Sequence, residues 1–309
     1  MGVLPRRCLL PLAAGLTATR AGVATSVVSA ISAGAETPPV VVASFSILGD
    51  MVRQIAGEGV ALRVLAGPET DAHAFQPRPS EAAAVRGAVL VVRNGLGFEP
   101  WLDRLLRGTG YAGRIATATQ GIAARVAGQG AGQGPDPHAW QDVRLAQAYA
   151  RTIGEALAAA LPAHEAELRE AASDYAARLG QLDGWVRDRL AVVPAERRVV
   201  VTSHDAFGYF AAAYGVRLVS PQGAAATAQP SAAQVAALIR LIRDQRISAV
   251  FIEGLGSQAV MQRLARDAGV RLRGRLFADT LSVPDGPAPT YEAMVRHNLD
   301  LLVPAMLGD

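Results

Sequence analysis

Ala61-Leu62-Arg63-Val64-Leu65-Ala66-Gly67-Pro68-Glu69-Thr70-Asp71-Ala72-His73 reads as a short strand, Ala61 to Leu65, that runs into a turn-rich loop and arrives at a histidine. Upstream, Val40-Val41-Val42-Ala43-Ser44 is a β-branched run without polar alternation, the pattern of a buried parallel strand. Ile47 to Ile55 follows it with helical spacing. Downstream, Ser80 is placed to cap a helix over Glu81 to Arg86. Ala88 to Val92 is a third strand, Trp101 to Leu106 a helix, and Arg114 to Ala118 a fourth strand candidate. Strand and helix alternate throughout, which predicts an α/β lobe with a parallel sheet. Ligands of such sheets bind in the loops beyond the carboxyl ends of strands. His73 sits in that kind of loop.

The middle of the chain changes character. Gly128-Gln129-Gly130-Ala131-Gly132-Gln133-Gly134-Pro135 is a low-complexity loop leading into Asp136-Pro137-His138. It lacks the lysine and serine of a phosphate-binding loop. Pro137 fixes the backbone before His138. Asp142 can cap a helix carrying Ala146, Tyr149, Ile153 and Leu157. From Pro162 to about Val192, the positions Leu168, Ala172, Tyr175, Leu179, Leu182 and Val186 mark one face of a long helix, read as a rigid strut. Alternation then resumes. Strands are expected at Arg198–Thr202, Val216–Val219, Ala249–Ile252 and Leu272–Leu276, and helices at Phe207–Tyr214, Ala233–Asp244, Val260–Ala268 and Pro289–Met306. The expected organisation is two α/β lobes, 36–161 and 194–309, each a parallel sheet flanked by helices, joined by one long helix, 162–193.

At 309 residues the chain is long enough for two such lobes. All 30 basic residues are arginine, and three of them, Arg6, Arg7 and Arg20, lie in the first 35 residues, where there is no acid. Without those three the chain carries 27 arginines against 27 acids, so no basic patch argues for nucleic acid. Residues 1–35 read as an export signal: Arg6-Arg7, a short apolar run from Cys8 to Leu16, and Ala33-Gly34-Ala35 as a cleavage site. Arg6-Arg7-Cys8-Leu9-Leu10 loosely fits a twin-arginine signal. Cys8 is the only cysteine, and it lacks the small apolar residues that precede a lipid-anchored cysteine. The expectation is a periplasmic protein with neither disulfide nor lipid anchor.

Four stretches each offer a metal-ligand side chain: His73, His138, His204 (in Ser203-His204-Asp205) and Asp279 (in Phe277-Ala278-Asp279). They are separated by 65, 66 and 75 residues, so only a tertiary fold could bring them together. Three imidazoles and a carboxylate would make a four-coordinate site for a borderline cation such as zinc. Glu253, Asp71, Asp136 and Asp205 are candidates for orienting an imidazole from behind. His164, beside Glu165, and His297 read as surface or partly buried residues outside the site.

Gly67-Pro68-Glu69-Thr70-Asp71-Ala72-His73-Ala74-Phe75-Gln76-Pro77, Asn94-Gly95-Leu96-Gly97-Phe98-Glu99-Pro100-Trp101-Leu102, Asp136-Pro137-His138-Ala139-Trp140 and Thr202-Ser203-His204-Asp205-Ala206-Phe207-Gly208-Tyr209-Phe210, in that order, resemble the periplasmic zinc/manganese-binding proteins of ABC transporters. Pro287 to Asn298 also fits. The resemblance implies two lobes joined by a stiff helix and a metal in the cleft between them. It also implies delivery to an inner-membrane ABC permease, with ligands at His73, His138, His204 and Asp279. The third ligand is usually glutamate in members that prefer manganese. Here it is His204, and nitrogen favours Zn²⁺ over Mn²⁺. The histidine-rich loop of many zinc importers is absent from Gly121 to Gly134. A monomer is expected, with a periplasmic metallochaperone as a further candidate partner. A manganese-specific binding protein of the same family is one alternative, and an exported zinc hydrolase is the alternative from another class. The hydrolase needs an open coordination position and a general base, and the chain has no His-Glu-x-x-His. Protons should compete with the metal as pH falls through the imidazole range near ~6.5.

Overall fold

The computed structural model describes residues 37–127, 134–220, 231–253 and 258–309. The export segment and most of the glycine-rich stretch lie outside them. The first sheet has strands β1 (Val40–Phe45), β2 (Ala61–Ala66), β3 (Leu90–Arg93) and β4 (Arg114–Thr117), all parallel, in the order β2-β1-β3-β4. Helices α1 (Ser46–Ala56), α2 (Pro79–Arg86) and α3 (Pro100–Thr109) are the crossovers. β1 is central: Val41 lies opposite Leu62 on one side and Leu90 on the other. Its side chains obey the period of two. Val41, Ala43 and Phe45 enter the main core, while Val42 faces a second cluster with Leu65, Val85, Val91 and Trp101.

A two-residue antiparallel pair, β5 (Val126–Ala127) with β6 (Gly134–Pro135), precedes His138. Sequence pattern gave no sign of it, because four residues carry no period. Helix α4 (Val143–Ala160) is capped by the Asp142 carboxylate, which accepts the Arg144 backbone N–H at 2.9 Å. A short 3-10 turn, Pro162–His164, leads into α5 (Glu165–Ala191), so the long helix begins later than its proline suggests. His164 has φ −119° and ψ 19°, outside helical values, and restarts the chain. At ~1.5 Å per residue, its 27 residues extend about 40 Å. All six expected apolar positions from Leu168 to Val186 are buried.

The second half contains β7 (Val199–Val201), α6 (Gly208–Tyr214), β8 (Arg217–Val219), α7 (Ala232–Asp244), β9 (Ile252–Glu253), α8 (Gln258–Ala268), β10 (Arg275–Leu276) and α9 (Tyr291–Leu307). β7 pairs with β8 and β9 with β10, all parallel, and a single bridge from Val201 to Val250 joins the two pairs. All four strands expected here are shorter than read, β7 and β8 by a residue or two and the other two by more. The one expected at Leu272–Leu276 starts only at Arg275, because Gly274 has φ +132°, off the extended region. The one expected at Ala249–Ile252 keeps only the Val250 bridge before Ile252. Ser80 is another correction: it lies inside α2, and Arg78 is the cap, since Pro79 occupies the first helical turn with no N–H to satisfy.

The main core runs from Val41 to Met306 without a break between the halves, and Pro38 to Asp309 forms one compact unit. The halves share this core, and each also has a smaller cluster of its own, around Val42 and Trp101 in the first and around Val201 and Ile242 in the second. α4 lies against α5 at small residues: a methyl at Gly154 would overlap the Ala172 Cβ. Gly154→Ala is therefore expected to cost about 1–3 kcal/mol by overpacking. That outweighs the ~1 kcal/mol that alanine gains over glycine in a helix. Denaturant unfolding of the metal-free protein checks the sign, and a more stable variant would contradict this packing.

Candidate metal centre

Each of the four side chains leaves from a segment that the fold holds independently. His73 lies in the loop after β2. The Asp71 carboxylate accepts the backbone N–H of His73 at 2.9 Å, a local turn of the kind aspartate favours. The carbonyl of Ala72 accepts the Trp101 indole N–H at 2.7 Å. The ring of His73 meets the Phe98 ring edge-on, with centroids 4.5 Å apart.

His138 is fully buried. Asp136 folds back over Pro137, and its Oδ1 accepts the His138 backbone N–H at 3.0 Å and lies 2.9 Å from the ring Nδ1. Its other oxygen accepts from Arg125 at 2.9 Å. A proton on Nδ1, held by Asp136, leaves the lone pair of Nε2 directed into the site. Asn94 donates to the Pro137 carbonyl at 2.9 Å, and its own carbonyl accepts the Tyr149 hydroxyl at 2.6 Å. The Asn94 turn is fixed by the buried Glu99 carboxylate, which accepts the N–H groups of Asn94 and Gly95 and the Ser44 hydroxyl. Burial pushes the Glu99 carboxyl up, against those hydrogen bonds. Gly95 has φ +91°, and a Cβ there would overlap Thr117. The motif from Asn94 to Trp101 thus positions His138 and His73 from behind. Nothing in the sequence pattern of that motif indicates this role.

His204 follows β7, with its carbonyl held by the Thr202 hydroxyl at 3.0 Å. Its Nδ1 makes an ion pair with buried Glu253 at the end of β9. Asp279 follows β10. The neighbouring Ala278 carbonyl accepts from Trp140 and Gln141, each at 2.8 Å, and the Leu281 N–H donates to Ser46 at 2.9 Å.

The four groups converge, with ligand atoms all within 4.8 Å of one another. Asp279 Oδ2 lies 3.0 Å from His204 Nε2 and 3.5 Å from His73 Nε2. Asp279 Oδ1 lies 3.4 Å from His138 Nε2, which is 3.4 Å from His73 Nε2. A tetrahedron with metal–nitrogen bonds of ~2.0–2.1 Å has edges of roughly 3.3 Å. Four of the six ligand separations, from 3.0 to 3.5 Å, lie near that value, and both Asp279 oxygens face imidazole nitrogens. Of the four expected orienting carboxylates, Asp136 and Glu253 reach a ring nitrogen. Asp71 is spent on its own loop, and Asp205 is not on His204, whose two nitrogens face Glu253 and Asp279. His164 is exposed and pairs with Glu167, and His297 packs on Phe277, both outside the cluster.

The electrostatics are lopsided. Burial alone would lower the proton affinity of His204, but the charges of Glu253 and Asp279 outweigh it and hold its pKa well above 6.5. Burial would raise Asp279, but His204 and His138 hold it well below 3.8. The His204 proton therefore stabilises the metal-free fold below the ordinary imidazole range, and that contribution is lost as pH rises through the raised value. The ionised Asp279 contributes above ~4, and this is lost as pH falls through its lowered value. A cation must displace the His204 proton. Metal binding at neutral pH should release about one proton. Affinity should keep rising with pH above the ordinary imidazole range, a higher window than sequence alone suggests. Calorimetry in buffers of different ionisation enthalpy counts that proton, and binding with no proton release would contradict the pairing.

Residues 41–305 match the family described as zinc-uptake complex component A, periplasmic. The zinc-binding protein TroA of Treponema pallidum is 32% identical over 282 residues, covering 89% of this chain and 91% of that one. The manganese-binding lipoprotein MntA of Halalkalibacterium halodurans is 31% identical over 264 residues, 85% of this chain and 87% of its own. Among solved structures, the periplasmic zinc-binding protein TroA of Treponema pallidum superposes with a TM-score of 0.82 at 30% identity, over 87% of this chain and 99% of that one. The manganese-bound periplasmic metal-binding protein of Candidatus Liberibacter asiaticus gives 0.79 at 28% identity, with the same coverage.

Proposed function

The chain belongs to the zinc-uptake component A family of ABC-transporter solute-binding proteins, and from that premise we propose that it captures Zn²⁺ in the periplasm and hands it to an ABC permease. Members of this family bind solutes and are not enzymes. The ligands assigned are His73, His138, His204 and Asp279, with Asp136 and Glu253 orienting two of the imidazoles. The observation that carries the reading is their convergence, with ligand atoms all within 4.8 Å of one another and four of the separations between 3.0 and 3.5 Å. Relatives are described as binding manganese, zinc or iron, so the choice among cations rests on the donors. Three imidazole nitrogens and one carboxylate favour zinc over the harder manganese ion.

The organisation that goes with this reading is a lobe from 36 to 161, a linking helix from 162 to 193 and a lobe from 194 to 309, preceded by an export signal, 1–35, that carries no lipid. The protein acts as a monomer, with a metallochaperone as a candidate donor of its cargo. No described helix is long and apolar enough to cross a membrane. The metal content of protein isolated from its own periplasm tests the assignment. About one zinc per chain is expected, and one manganese per chain in its place would overturn it.

A further inference from the structure

The candidate site has a closed side and an open one. The side chains of His138 and His204 are 0% and 5% exposed, whereas those of His73 and Asp279 are 11% and 15% exposed. A cation entering or leaving must therefore pass His73 and Asp279. Four residues before each of these stands one member of an ion pair. Glu69, in the His73 loop, meets Arg275, at the start of β10, at 2.7 Å. The Glu69 backbone N–H also donates to the Leu281 carbonyl, two residues beyond Asp279, at 3.2 Å. Among the described residues, and apart from His73 itself, these are the hydrogen bonds and ion pairs by which the 67–78 loop holds the second half of the chain.

Two features make this contact more than a surface pair. Glu69 has φ +57°, a left-handed conformation that a non-glycine residue adopts only where its surroundings impose it. Arg275 is fixed from the other side. Its guanidinium stacks on Phe277, 4.7 Å from the ring centroid, and its Nε and Nη2 are buried without hydrogen-bond partners. Glu69 is the one anionic partner of that cation among the described residues, so separating them leaves a partly buried charge uncompensated.

We propose that the Glu69–Arg275 pair is a latch that holds the His73 loop against the Asp279 segment and sets the rate at which the bound cation leaves. Closed, the latch keeps Glu69 in its strained backbone conformation and His73 within reach of Asp279. Open, Glu69 relaxes toward ordinary backbone angles and His73 withdraws, while His138, His204 and their orienting carboxylates stay in place. Both are positioning residues, acting through His73 and Asp279. The proposal rests on the metal-binding reading above for its cargo but not for its mechanics.

The test is a double-variant cycle of Glu69→Gln and Arg275→Gln in the mature chain. Zn²⁺ release is followed by chelator competition in stopped flow, and backbone hydrogen exchange over 67–76 is measured in the metal-free protein. Each single variant should speed release about fivefold, as expected for a partly buried charge pair. The double variant should be no faster than either single, because the second change removes a partner already lost. Exchange over 67–76 should quicken in all three variants without metal. Release within twofold of wild type, or effects that multiply to about 25-fold in the double, would overturn the latch. If the wild type binds no zinc, the functional reading fails, and the exchange arm still decides: unchanged protection over 67–76 sinks the latch by itself.

Discussion

His138→Ala should weaken zinc binding by about a thousandfold, while His164→Ala and His297→Ala change it by less than twofold. His138 is the most enclosed of the four converging side chains, and four neighbours are committed to aiming it: Asp136 at Nδ1, Asn94 at the preceding carbonyl, and the rings of Phe98 and Trp140 beside it. Removing an orienting partner of a metal ligand typically costs 10–100-fold, and removing the ligand itself should cost more. A thousandfold corresponds to about 4 kcal/mol. The two control histidines lie elsewhere, one exposed on Glu167 and one against Phe277. Competition against a chromophoric chelator gives the three affinities. Thermal unfolding of each metal-free variant separates lost ligation from lost folding. Equal losses at His164 and His138 would remove the site assignment.

A second large effect is expected at Glu253, which stands behind His204 and is not one of the four converging ligands. Glu253→Gln keeps the volume behind His204 but removes the charge facing Nδ1. Zinc affinity should fall about 10–100-fold at a pH where the wild type has shed its proton, because the imidazole becomes a weaker donor. The pH profile should move as well. Glu253 and Asp279 together hold the His204 pKa high; with one charge gone it falls, and affinity should level off at a lower pH than in the wild type. A purely structural glutamate would lower affinity without moving that profile. An unchanged profile would show that Glu253 does not govern the His204 proton.

The four converging residues were legible in the sequence because each sits where an α/β fold places its ligands, just past a strand or ahead of a helix, in a short polar break between apolar runs. Their partners were harder to read. Asp71, Asp136 and Asp205 stand one or two residues from a histidine, yet only Asp136 reaches a ring nitrogen, because the chain folds back at Pro137. Asp71 is at the same distance in sequence, but it closes its own turn. Adjacency in sequence does not determine which way a ring faces. Glu253 is separated from His204 by 49 residues, and only the parallel arrangement of strands carrying β7 and β9 puts it behind the imidazole. Helices were read more closely than strands for a related reason. The face of α5 repeats over 27 residues, whereas β9 and β10 are two residues each, and one glycine conformation at 274 moves the start of β10.

If the four distant side chains form one metal site, X-ray absorption of the zinc-loaded protein should show it. The first shell is expected to hold nitrogen and oxygen only, at ~2.0–2.1 Å, with outer-shell scattering from three imidazoles. A first shell fitted by no more than one imidazole, with water or carboxylate oxygens making up the rest, would contradict it.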